Sequence, residues 1–104
     1  MHPVFINQKS KDMNRTVKNV TDGDTFTVIP EWEWNGDSGE FVRANGYNAP
    51  EKGDPGYQEA TRRLQELIGD KKVRLEPITF TYGRLLCDVF INGMNLKDFF
   101  PEYQ

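Results

Sequence analysis

At 104 residues, with a net charge of −3 and a pI near 5.1, the chain has room for one modest core. It lacks the basic surface with which proteins coat nucleic acid nonspecifically. Its 37% hydrophobic and 28% charged residues suit a globular domain, and no apolar run approaches a bilayer-spanning length, so no membrane partner is expected.

The first fourteen residues are polar and without period, which predicts a flexible N-terminal segment (1–14) ahead of a single domain over 15–104. MHPVFINQKSKDMNR has no basic region followed by an apolar stretch, so it does not read as a secretion signal. A cytoplasmic location is the expectation, unless a leader has been removed. His2, the one histidine, lies in this segment, which argues against histidine-based catalysis.

From Arg15 the pattern becomes strand-like. RTVKNVT alternates, TDGD offers a turn or bulge, and TFTVI follows as a second strand. EWEWNGDSGEF reads as a hairpin with NGDSG as its turn and Phe41 opening the next strand. Trp32 and Trp34 share one face of it, where packing across the hairpin competes with base stacking. FVRANGY carries the third strand until Pro50, which cannot donate to a ladder.

Asp54 and Pro55 suit the N-cap and first position of a helix. Tyr57, Ala60, Leu64, Leu67 and Ile68 recur at helical spacing, and Gly69 is placed to stop it. KKVRLEPITF and RLLCDVFI are two further strands around Tyr82-Gly83, with Cys87 in an alternating run that predicts a buried thiol. That single cysteine allows no intrachain disulfide and no cysteine zinc cluster. NLKDFF fits one or two terminal helical turns. Phe99, Phe100 and Tyr103 either cover an end of the core or form a subunit contact. The expected class is mainly β with one main helix. The order matches a five-stranded OB-type Greek-key barrel with the helix between strands 3 and 4 and a short C-terminal helix.

Several residues could carry chemistry. Asp22 and Asp24, two apart in an extended segment, could face one hard cation, or simply form a surface turn. Arg43 offers a guanidinium fork for phosphate oxygens, the alternative being an ion pair with an acid. Arg84 repeats that choice. Glu51 is either a general base or a solvated surface acid.

In order, TDGDT, Arg43, Asn48-Ala49-Pro50-Glu51, a helix and Tyr82-Gly83-Arg84 resemble the staphylococcal nuclease-like (thermonuclease) family, from about Val17 to Asn95. The resemblance implies an OB-type barrel that hydrolyses phosphodiesters in DNA or RNA with calcium. It implies Asp24 as direct calcium ligand and Asp22 as a carboxylate acting through the ion's water. Asn48 falls on the second carboxylate ligand and Ala49 on the residue that offers a backbone carbonyl. Arg43 and Arg84 match the catalytic arginines, Glu51 the base, and Tyr82 a tyrosine beside the substrate phosphate. Asn48 supplies an oxygen without charge, so weak calcium binding, strengthened by phosphate, is expected. Thr81 stands where relatives often have a lysine, and the family's last helix is missing. Substrates would be single-stranded DNA, RNA or a nucleotide phosphate, and the chain is expected to be monomeric, with dimerisation through the aromatic C-terminus as the alternative. A second reading is a catalytically silent OB-fold module that binds nucleic acid or a protein partner.

Overall fold

The computed structural model describes residues 13–104. Six strands, one α-helix and two 3-10 turns follow in order: β1 Met13–Asp22, β2 Thr25–Trp34, β3 Asp37–Ala44, α1 Tyr57–Ile68, β4 Lys72–Thr81, β5 Arg84–Ile91, β6 Met94–Asn95, then Leu96–Phe99 and Pro101–Tyr103. Antiparallel pairing runs β3-β2-β1-β4-β5-β6. A parallel pairing of β3 with β5 (Val42 with Leu85, Arg43 with Leu86, Ala44 with Cys87) turns the sheet back on itself. The protein is mainly β, a closed five-stranded barrel with one helix. Closure removes the exposed edges that an open sheet would leave.

Alternation along the strands fills the barrel. In β5, Leu85, Cys87, Val89 and Ile91 point inward, joined by Val73 and Leu75 of β4 and by Phe26 and Val28 of β2. From α1, Ala60, Leu64 and Ile68 are buried on one face, as their spacing predicts. Burial also raises the Cys87 thiol to about 12, which makes it an inert packing group.

Three two-residue connections, Asn35-Gly36, Tyr82-Gly83 and Asn92-Gly93, have positive φ at both positions, the geometry that matches strand twist in tight hairpins. The expected turn NGDSG therefore contracts to Asn35-Gly36, and β3 opens at Asp37 rather than Phe41. The two segments TFTVI and EWEW form one strand; its ladder to β3 jumps between Thr27 and Trp32 around Pro30, which has no N–H to give. Trp32 is fully buried, donates its indole N–H to the Phe41 carbonyl at 2.9 Å and meets Phe80 edge-on, so core packing takes it.

Other boundaries also move. The flexible segment expected over 1–14 lies outside the described residues except for Met13 and Asn14. Those two are already in β1, opposite Leu75 and Arg74, because Met13 is drawn into the core. Asp54 is not the helix cap. It closes a turn with Glu51, and the chain enters the helix through Gly56 at φ 87, so Pro55 precedes the first turn. Gly69 ends the helix, but the left-handed residue is Asp70 at φ 62. The terminal helical turns are 3-10, with Asn95 accepting from the Lys97 N–H as cap.

Candidate phosphate site at the barrel seam

The β3–β5 seam decides where the cations go. Arg43 lies in β3 within the seam, and Arg84 begins β5 beside Leu85. Both line one pocket of ≈ 430 Å³, together with Asn48, Tyr82, Tyr103 and Gln104. Arg84 touches only the Thr25 hydroxyl, at 3.4 Å, and has no carboxylate partner among the described residues. A guanidinium left uncompensated at a concave surface is a receptor for an anion.

Arg43 is differently placed. One of its terminal nitrogens donates to Asn48 Oδ1 at 2.5 Å and to Asp24 Oδ2 at 3.3 Å. Asp24 is 6% exposed and sits in a ring of donors: the Ala49 N–H at 3.0 Å on Oδ2, and the Thr25 hydroxyl at 3.2 Å on Oδ1. Burial raises the Asp24 carboxyl above its ordinary value, and neighbouring Asp22 adds to this; the Ala49 N–H and Arg43 oppose it. Asp22 accepts the Asp24 N–H at 3.2 Å, which fixes the turn between β1 and β2.

That turn is pressed against the helix. A Cβ on Gly23 would come within 2.6 Å of the Ala49 Cβ and 2.8 Å of the Ala60 Cβ, so only glycine lets the aspartate turn pack there. Tyr47 donates its hydroxyl to the Gly23 carbonyl at 2.8 Å, and burial together with Asp24 raises its phenol far above the usual range. The ring stacks on Phe100, which stacks on Tyr103, and the Asn48 N–H donates to the Tyr103 carbonyl at 3.0 Å. The terminal turns thus form one wall of the pocket, with Phe100 fully buried as the expected cover of the core.

Tyr82 is 91% exposed and holds φ at 52 in a turn position that favours asparagine or glycine. An L-residue there is strained by roughly 1–2 kcal/mol, and such strain gathers at working sites. Glu51 is exposed in the turn to Asp54 and does not line the pocket; Asn48, three residues before it, does. The structure therefore brings Arg43, Arg84, Asn48 and Tyr82 together around one concavity, with Asp24, Asp22 and Ala49 layered behind Arg43.

Residue type alone does not mark Thr25, Tyr47, Tyr103 or Gln104 as site residues. Tyr47 carried the available signal, since it directly precedes Asn48 in the same strand-to-loop run.

The donor set can be tested against calcium. Two carboxylates, the Asn48 amide oxygen and nearby backbone carbonyls are hard oxygen ligands of the type calcium takes. Among the described residues no group of three or more His, Cys, Asp or Glu gathers around a common point. The Arg43 nitrogen already occupies an oxygen of Asp24 and that of Asn48. A cation at these oxygens would have to displace Arg43 from both of them.

Compared with protein-family models and with curated proteins, the chain finds no match. No helix among the described residues is long and apolar enough to cross a membrane.

Proposed function

We propose that the protein is a nuclease-like phosphodiesterase of the staphylococcal nuclease-like kind, built on an OB-type Greek-key barrel. Its substrate is a phosphodiester of DNA or RNA. The observation that carries this reading is the pairing of Arg84, which has no carboxylate partner among the described residues, with Arg43 in one pocket that the exposed Tyr82 also lines.

In the proposed reaction the substrate phosphate enters between Arg43 and Arg84. The two guanidiniums neutralise charge that gathers on the equatorial oxygens as a water attacks phosphorus in line with the leaving oxygen. Glu51 is exposed on the turn beyond Asn48, outside the pocket, so as the proposed base it orients that water and takes its proton only once the turn brings it to the phosphate, while the departing oxygen is protonated from solvent. Tyr82 lies over the phosphate and limits access of bulk water. Calcium would be held by Asp24, Asn48 and the Ala49 carbonyl, with Asp22 assisting beside them, and would supply positive charge against the phosphate. Two oxygens of this set, on Asp24 and Asn48, already accept from Arg43.

The test is digestion of single-stranded DNA and of RNA by the full chain with calcium and with chelator. Calcium-dependent cleavage that Glu51→Gln abolishes supports the reading. Nucleic-acid binding without cleavage in either condition supports the silent OB-module reading instead, which the net negative charge and Asn48 favour.

A further inference from the structure

Arg63 lies on α1, outside the seam pocket, and the reaction described above gives it no part. Helix position and charge alone would pair it with acids a turn away, as Arg62 is paired with Glu59 and Glu66. Its contacts run instead to the C-terminal turns. One terminal nitrogen donates to the Phe99 carbonyl at 2.7 Å and the other to the Glu102 carboxylate. The guanidinium carbon stands 4.6 Å from the centre of the Phe100 ring and 5.9 Å from that of Tyr103. A planar cation that bonds along its edge and stacks on its face holds its partners in one orientation, which a lysine ammonium does not.

The turns held in this way are a wall of the pocket. Tyr103 and Gln104 line it, and the Tyr103 carbonyl accepts the Asn48 N–H at 3.0 Å. Asn48 in turn accepts Arg43 Nη2 on its Oδ1. Contacts therefore run without a gap from Arg63 through Tyr103 and Asn48 to Arg43. That one Arg43 nitrogen serves both Asn48 and Asp24, while Nη1 and Nε make no hydrogen bond to a described residue. Those two are the donors left for an anion, and where they point follows from what holds Nη2. Asp24 is fixed in its buried turn. Asn48 is exposed, and its N–H bond to Tyr103 ties it to the wall.

We propose that Arg63 is a positioning residue for the anion pocket: by holding Tyr103 it sets Asn48, and through Asn48 the direction of Arg43. This rests on the two-arginine anion site of the phosphodiesterase reading and on no step of its chemistry. Anion affinity then depends on a helix that does not line the pocket.

The experiment is a double-mutant cycle read as the dissociation constant of inorganic phosphate, from NMR titration of the full chain without calcium. Arg63→Ala, Asn48→Ala and the two together are compared with the parent, and thermal unfolding checks that each is folded. Phosphate affinity should fall about fivefold in Arg63→Ala. The same substitution should cost less than about twofold once Asn48 is alanine, because the residue it acts through is gone. Arg63→Lys keeps the charge beside Glu102 without the fork, so it should fall between parent and alanine, and it completes the cycle if the alanine protein does not fold. No loss in Arg63→Ala, equal loss in both backgrounds, or full affinity in Arg63→Lys overturns the positioning role and leaves the arginine pocket standing. A parent protein that binds no phosphate overturns the anion site, and the phosphodiesterase reading and the role of Arg63 with it.

Discussion

Alanine at Arg43 and alanine at Arg84 should separate a cation that serves the fold from one that serves a ligand. Among the described residues Arg84 makes one long hydrogen bond, 3.4 Å to Thr25, and compensates no carboxylate. Its removal strands nothing, so stability should stay within about 0.5 kcal/mol of the parent. Arg43 neutralises Asp24, whose side chain is almost wholly buried, and satisfies Asn48. Its loss leaves that carboxylate with the Ala49 N–H and the Thr25 hydroxyl alone, at a cost of about 1–3 kcal/mol. The Arg43 side chain is 30% exposed, so water softens the loss and the lower half of that range is expected. Both variants should lose cleavage by about a hundred- to a thousandfold, the effect of removing one preorganised donor to developing charge. Urea unfolding followed by circular dichroism gives the first quantity, and initial rates on single-stranded DNA with calcium give the second. If Arg84→Ala unfolds as readily as Arg43→Ala, Arg84 is a structural residue. If it cleaves at the parent rate, the pocket is not where the chemistry happens.

Three further outcomes follow from the same geometry. Asn48→Asp adds a ligand charge and should tighten calcium binding by roughly tenfold in calorimetry; an unchanged titration would show that calcium is not held there. Tyr82→Asn relieves the left-handed strain and should raise the unfolding midpoint while weakening oligonucleotide binding, so a variant that gains stability without losing affinity would remove Tyr82 from the site. The hydrogen bond from Arg63 holds Glu102 below its ordinary value of 4.5, so its folded pKa is the lower one. The stabilisation is complete above that ordinary value and is lost as pH falls through the folded one. Glu102→Gln should flatten the acid limb of a pH series of urea midpoints, and a limb of parent steepness would show the pair to be inconsequential.

Much of the fold was legible because it rests on period. The α1 face of Ala60, Leu64 and Ile68 follows helical spacing, β5 alternates without a break, and Asn35-Gly36 and Asn92-Gly93 announce their turns. What failed was local chemistry overruled by geometry elsewhere. Asp54 is a good cap by residue type, but its carboxylate turns back toward the Glu51 N–H and Gly56 redirects the chain. The start of β1 at Met13 could not be read from polar neighbours, since it depends on a core that the rest of the barrel supplies.

The candidate site was legible in part for a related reason. Arg43, Asn48, Tyr82 and Arg84 lie in two distant stretches whose motifs suggested a common anion. The sequence carried no sign that one nitrogen of Arg43 would span Asp24 and Asn48. That contact depends on how the aspartate turn packs on Gly23, Ala49 and Ala60. Tyr103 and Gln104 enter only because the terminal turns fold back beside Asn48.

The parallel seam between β3 and β5 has a consequence for how the molecule fails. Its three residue pairs are the only ladder joining those strands, and one guanidinium stands within it while the other stands at its end. A chain that had zipped every antiparallel hairpin but not this join would look almost native by circular dichroism and still present two arginines with nothing between them. Weakening the clasp should therefore part the two arginines well before the molecule melts.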